Sequence, residues 1–443
     1  VFELGNITWN QAPIATISAS NVIFDNLEIR DEEINNKGVW PPLGSVAVSG
    51  GANVTVQNSY IHGWSIAAPA AGSDTLPSGG VVFYNGATGG IVKNSVFDAA
   101  PESNSGTAIY GAQIVQGNVI QNTPNGILVT QSGADVSGNQ VSDIPYSVDP
   151  SVNSSAIVMY ESGNVYNNTV HDLVPGISAI YLQSGWSGTG NTQNIYNNLI
   201  WNSGDEAPVT IDSSSMGPGL TSSQVILNNT LASGPNPCVQ VVPRYDLPTS
   251  LTVQNNHCIS DQPAAQVLCV NNAGGNFDCG LVSNLTAGNN AIMSTATASS
   301  QGYSISDGFQ PSTSNAGTVG AALNLSAECA AIGVPLCSYR VALERPSGSE
   351  CDSGAYIYQA TNTSTPSIIT QPVWQAAGIG QTATFRVQAI GAPTLTYQWQ
   401  RNGAAIPGAT GNSYTSPAIS SADNGALFSV IVSNAAGSVT SAP

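Results

Sequence analysis

The sequence predicts an all-β protein: a parallel β-helix solenoid of about ten coils, followed by a small β-sandwich. Three observations predict it. An Asn set among apolar residues recurs at intervals of 21 to 36 residues, from Asn26 to Asn290. Short Val- and Ile-rich runs bounded by Gly, Ser or Asn fill the intervals, with no stretch of helical period between them. The composition is 41% hydrophobic and only 8% charged, with 46 Gly, which suits strands and tight turns and starves helices.

The repeat shows most plainly in "VYNNTVHDL" (165–173), "IYNNLIWNS" (195–203), "ILNNTLASG" (226–234) and "VQNNHCISD" (253–261). Its Asn positions are Asn26, Asn58, Asn94, Asn118, Asn139, Asn168, Asn198, Asn229, Asn256 and Asn290. Their spacings are 32, 36, 24, 21, 29, 30, 31, 27 and 34. Two residues after the Asn stands an apolar side chain, such as Tyr60, Val96, Ile120 or Val170. Two further on comes a polar turn former, such as His62, Asp98, Asp143 or Asn202.

A second run lies between the Asn segments, for example "GVVFYNG", "TAIYGA", "AIVMYESG" and "AIYLQSG". Each repeat therefore holds two to three short strands. A propeller blade needs four strands and about 40 residues or more. Spacings of 21 and 24 are too short for a blade and fit one coil of a parallel β-helix. Longer repeats place their extra length in outer loops, such as 30–46 and 63–79. Stacked coils set each Asn about 4.8 Å from the last, so that amides hydrogen-bond along the stack and satisfy turn backbone groups. Ten coils at that spacing predict a rod roughly 50 Å long. The ten Asn are thus expected to be structural and not catalytic.

Residues 1 to about 300 resemble a right-handed parallel β-helix of the pectate-lyase-like superfamily, with its asparagine ladder. The repeat is specific for that fold and uninformative about function. The stretch "RPSGSECDSGAYIYQ" (345–359) resembles the closing segment of secreted bacterial β-helix repeat proteins, giving a closing region over 301–358. "QATNTSTPSIITQP" (359–372) reads as a linker. Residues 373–443, with alternating strands, a central Trp399 and a late Asp423-x-Gly425 turn, resemble a bacterial immunoglobulin-like domain. That resemblance places Trp399 in the sandwich core, Val387 and Val430 where antibody-type domains carry cysteines, and Phe428 at the corner tyrosine. It also implies one more strand beyond "SVTSAP". The abrupt start on "VFELGNITWN" is that of a mature or trimmed chain.

The chain carries 8 Lys+Arg against 26 Asp+Glu, a net charge of -18. That balance argues against nucleic acid, whose binding needs clustered Lys and Arg, and against an anionic membrane surface. No apolar run reaches the 18 residues of a membrane span. All seven Cys lie between Cys238 and Cys351, without a C-x-x-C pair or nearby His ligands. Disulfides in an oxidising, extracellular setting fit this pattern; small buried core residues are the alternative.

Candidate chemistry is sparse. The densest charged stretch, "RDEEINNKG" (30–38), offers Asp31, Glu32 and Glu33 as Ca²⁺ ligands, or is simply a solvated loop. His62, His171 and His257 fall in or beside the Asn turn, where polar residues are expected anyway. Aligning the second runs puts Tyr84, Tyr110, Thr130, Tyr160, Leu182 and Asp212 in one column, with Asn85, Gln131, Glu161 and Gln183 beside it. Tyr84, Tyr110 and Tyr160 would then present rings that stack on sugars. Glu161 and Asp212, two coils and about 10 Å apart, would form a carboxylate pair near the upper end of the inverting separation. Trp40, Trp64 and Trp186, in loop-like segments, would flank such a groove or cap a loop stem.

Two readings follow. In the first, the protein is an extracellular, non-catalytic surface, matrix or fibre-forming protein, needing no cofactor. Its unfinished strand edges would pair with further copies head to tail. In the second it is a secreted polysaccharide lyase or glycoside hydrolase. The scattered basic residues, which supply no obvious lyase base, and the absence of a coherent catalytic cluster favour the first.

Overall fold

Ten repeats each fold into three short strands, and successive repeats stack strand on strand. The computed structural model describes residues 15–30, 33–34, 44–66, 79–100, 106–145, 154–183, 190–203, 206–212, 222–234, 236–242, 248–261, 268–272, 276–278, 285–303, 309, 317–318, 354–355, 365–372, 374–375, 377, 379–390 and 395–443. The fifth coil runs Asn125–Val129, Ala134–Ser137 and Gln140–Ser142, and the sixth Ser155–Met159, Gly163–Tyr166 and Thr169–His171. Like strands of successive coils pair in parallel. They build one 11-stranded sheet and two 10-stranded sheets, the larger ending in an antiparallel hairpin from Leu268–Asn272 to Asn276–Asp278.

Alternation along each short strand sends one set of side chains inward. In the second sheet Val56, Val92, Val115, Val136, Val165, Ile195, Ile226 and Val253 stack in register, each fully buried. In the third sheet Ile61, Phe97, Ile120, Val141, Val170, Ile200, Leu231 and Cys258 do the same. β-Branched residues suit this position because their stiff side chains pack well on a pleated surface.

The turn from second to third strand holds two residues in all ten coils. Its first residue is left-handed throughout, with φ between 49° and 65°: Asn26, Asn58, Asn94, Gly117, Gly138, Asn167, Asn197, Asn228, Asn255 and Asn289. Gly adopts that conformation freely, and Asn and Asp do so more readily than other residues. Variation in coil length therefore falls outside this turn.

The second turn residue points inward. Asn118, Asn139, Asn168, Asn198, Asn229, Asn256 and Asn290 occupy it and form a continuous ladder. Each Nδ2 donates to the Oδ1 of the next at 2.9–3.0 Å. Each also donates to a backbone carbonyl one coil back, as Asn168 does to Val136 O at 2.9 Å. Asn26, Asn58 and Asn94 lie outside this ladder, contrary to expectation. They are the left-handed first residue of their turns, and Leu27, Ser59 and Ser95 take the inward place. The serines carry the ladder on: Leu27 N–H donates to Ser59 Oγ at 3.2 Å and Ser59 N–H to Ser95 Oγ at 3.1 Å. The inward residues of the second and third coils are accordingly Ile61 and Phe97, one residue later than Tyr60 and Val96.

A disulfide joins Cys238, just before Val239–Val242, to Cys258 in His257–Ser260, and both are fully buried in the core. Cys269 has its side chain, and the other four Cys their positions, outside the described residues. Within the closing segment, Gly354 N–H donates to Asn255 O at 2.6 Å and Ala355 N–H to Thr230 Oγ1 at 3.1 Å. Gly354 and Ala355 thus lie against the eighth and ninth coils.

The chain divides into two compact units, Val1–Thr297 with Gly320–Ala355, and Ala298–Val319 with Tyr356–Pro443. The second unit is antiparallel. Thr396–Arg401, Ala404–Ala405, Phe428–Asn434 and Gly437–Thr440 form a four-stranded sheet. Thr384–Arg386 pairs with Ser413–Thr415, and Ser367–Thr370 with Gln388–Ile390. Trp399 is fully buried among Phe385, Val387, Val430 and Val432, and its Nε1 donates to Gly411 O at 3.0 Å. "GSVT" (437–440) is itself a paired strand at the sheet's edge.

Candidate functional site

The outer face of the 11-stranded sheet carries the residues singled out for sugar binding and catalysis. Its strands include Gly79–Tyr84, Thr107–Tyr110, Asn125–Val129, Ser155–Met159, Ser178–Gln183, Val209–Asp212 and Val239–Val242. Inward residues such as Ile109, Ile127, Ile157, Ile180 and Ile211 fix the phase of each strand.

Register rearranges the expected column. Tyr110 stands level with Val82 and Leu128, then Val158, Tyr181, Thr210 and Gln240 follow in one outward row. Tyr84 is two residues further along its strand, level with Ser49. Tyr160 follows Met159, beside the level of Gln183, which in turn faces Asp212. Leu182 points into the core. The expected single stack of Tyr84, Tyr110 and Tyr160 is therefore not formed. Tyr110 and Tyr160 instead border a common apolar cluster of Leu128, Val158 and Tyr181.

Polar groups on this face bond to one another across coils. Tyr181 OH donates to Asp212 Oδ2. The Ser178 and Thr210 hydroxyls lie 2.6 Å apart, and Gln240 Nε2 donates to Thr210 Oγ1 at 2.8 Å and to Glu206 Oε2. Burial pushes the Tyr160 phenol up to about 12, with Tyr110 and the Asp212 carboxylate adding to the shift. Burial also raises Tyr110, against a hydrogen bond to Thr130. These phenols are neutral donors at physiological pH.

Asp212 is 3% exposed and Glu161 7%. Glu161 sits in the turn after Tyr160, and its backbone carbonyl accepts from Gln193 Nε2 at 3.4 Å. Among the described residues no Lys or Arg stands on this face: Lys93 lies on the second sheet, Arg30 on the third, and Arg386 and Arg401 in the C-terminal unit.

Asp31 and Glu32 lie outside the described residues. Glu33 belongs to the short strand Glu33–Ile34, paired with Ser65–Ile66, and its side chain lies outside them too. Among the described residues no group of three or more His, Cys, Asp or Glu could hold a metal ion. Trp40 and Trp186 are also outside. Trp64 does not flank a groove: it is fully buried in the solenoid core, edge-on to Phe97 with ring centroids 6.5 Å apart.

The histidines are strand residues on the outer face of the third sheet, not turn residues. His62 stacks on Tyr60 with centroids 3.8 Å apart, and its Nε2 lies 3.4 Å from Glu28 Oε1. His171 stacks on Trp201 of the next coil at 4.5 Å and bonds through Nδ1 to Asp172 Oδ2 at 2.8 Å. His257 is buried beside Met293, and burial pushes its imidazole down to about 3. A further stack, Tyr166 on Tyr196 at 4.8 Å, lies on the outer face of the second sheet, where Tyr166 OH donates to Asp135 Oδ2 at 3.0 Å. The sequence carried a signal for these pairs: "VYNNTVHDL" and "IYNNLIWNS" set Tyr over Tyr and His over Trp at matching offsets.

Comparison of the chain with protein-family models, curated proteins and solved structures returns no match.

Proposed function

We propose that the protein is an extracellular, non-catalytic structural element: a β-helix rod with an immunoglobulin-like C-terminal module, serving a cell surface, a matrix or a fibre. One observation carries the reading. The polar and aromatic side chains on and within the coils bond mainly to the coil above or below. The asparagine ladder, the Tyr166–Tyr196 and His171–Trp201 stacks and the Tyr181–Asp212 bond all do so. Such couplings stiffen a solenoid whose repeats touch only their neighbours. The buried Cys238–Cys258 disulfide supports an oxidising compartment.

The enzyme reading has the Tyr110, Tyr160 and Asp212 neighbourhood in its favour. Against it, both proposed carboxylates are buried, whereas a polysaccharide needs an open path to the acid and base. Negative-stain microscopy of the protein as isolated from its source tests the structural reading. Regular fibres or a surface lattice are expected. Separate short rods, together with polysaccharide cleavage that Asp212→Asn abolishes, would replace it with the enzyme reading.

A further inference from the structure

Charge is divided unevenly along the chain. Residues 373–443 hold Arg386 and Arg401 against Asp423 alone, a net charge of +1, so residues 1–372 have a net charge of -19 within the total of -18. Two solenoid surfaces repel one another, whereas the C-terminal module approaches a solenoid without that cost.

Each partner in that approach carries an exposed apolar surface. On the second sheet's outer face, Ile23, Thr55, Ile91 and Ile114 stand in register across the first four coils. Ile23 is 65% exposed, Ile91 and Ile114 are half-buried, and Thr55 between Ile23 and Ile91 is buried. Asp25 flanks the row, and Asp135 follows Ile114 in it.

On the C-terminal module, Ile379 and Leu427 are 78% and 57% exposed. A chain of contacts places both at one end. Gly380 N–H donates to Ile419 O, Ser420 N–H to Asp423, Arg401 pairs with Asp423, and Asn402 N–H donates to Leu427 O. The Arg401 side chain, 42% exposed and paired with Asp423, thus lies beside this apolar tip.

We propose that this tip docks on the Ile23–Ile114 row of a second copy of the chain, with Arg401 towards the Asp135 end of the row. The contact uses different surfaces on the two copies, and such a heterologous contact propagates into an open filament unless its rotation closes a ring. The inference rests on the fibre form of the reading above and names its joint.

Sedimentation velocity on the full chain tests it, with three proteins over a wide concentration range. They are the wild type, Ile23→Glu, and the double variant Ile379→Glu with Leu427→Glu. The three substituted side chains are all exposed, and matching thermal melts would establish that the variants fold. The wild type should lengthen with concentration. Each variant should associate about tenfold or more weakly, because a carboxylate is forced into a dry contact. An equal mixture of the two variants should stop at pairs, since each keeps one working surface. Wild-type chains that lengthen while both variants lengthen equally would overturn the joint and leave the fibre reading standing. A wild type that stays monomeric at every concentration would overturn both.

Discussion

Ser95 fills in the third coil the inward turn position that Asn118 fills in the fourth, and its backbone N–H donates to Asn118 Oδ1 at 3.0 Å. The ladder therefore changes chemistry at that step, from amide to hydroxyl, without changing register. Asn94, next to Ser95, takes the left-handed place of the turn.

Asn94 and Asn118 should consequently respond differently to the same substitution. Asn94→Gly keeps a residue suited to positive φ and should change stability by less than about 0.5 kcal/mol. Asn118→Gly removes the bonds to Val92 O and Asn139 Oδ1 and takes the acceptor from Ser95 N–H. It should cost about 2–4 kcal/mol. Urea unfolding of the two variants measures the difference, and equal losses would contradict the assigned register.

Reduction should weaken the solenoid near its ninth coil. The Cys238–Cys258 bridge closes a sequence separation of 20, for which chain entropy suggests about 3 kcal/mol. Thermal denaturation of a Cys238→Ala, Cys258→Ala variant should show the loss. Alkylation of the unfolded wild type without reductant should leave these two positions unmodified.

His257 should make stability fall in acid. Its imidazole takes a proton near 6.5 when unfolded but only near 3 when folded. Between those values the unfolded chain binds the extra proton, so stability is full above 6.5 and declines as the pH drops through the window. The slope is about 1 kcal/mol per pH unit. Replacing it with the similarly sized neutral Gln should flatten that slope in urea titrations between pH 6.5 and 4.

Tyr196 is fully buried and, among the described residues, its hydroxyl has no hydrogen-bond partner. Tyr196→Phe keeps the ring stacked on Tyr166 while removing a desolvated oxygen. It should be neutral or stabilising by up to about 1 kcal/mol. A loss above that range, read by thermal melting, would show that the hydroxyl is bonded in solution.

The fold was legible because its period survives in the sequence. Asn139, Asn168, Asn198, Asn229 and Asn256 each follow a Gly or Asn and precede an outward residue and an inward apolar one, so the column reads directly. Asn26, Asn58 and Asn94 misled because Asn serves two physical roles in adjacent places: it tolerates positive φ and it bridges amides. Where Ser or Leu took the second role, only the first remained visible. The outer face of the large sheet was harder. One misplaced residue sends a side chain to the opposite face, which is how Leu182 came to be expected beside Tyr160 when it lies in the core. Trp64 shows the same limit: a residue next to a Gly reads as loop, while its burial depends on a coil some thirty residues away.

The direction of the inter-coil hydrogen bonds has a mechanical consequence. They run along the stacking axis, and every junction between coils holds three short rows of them plus one ladder rung. A pull that grips whole coils loads those rows together, so the force divides among many bonds at once. A pull on a single chain end would peel one row after another, each at a small fraction of that force. Under load, such a solenoid would withstand tension only while its outermost coils are held, which would make the fastening of its ends, more than the ladder, the determinant of its tensile strength.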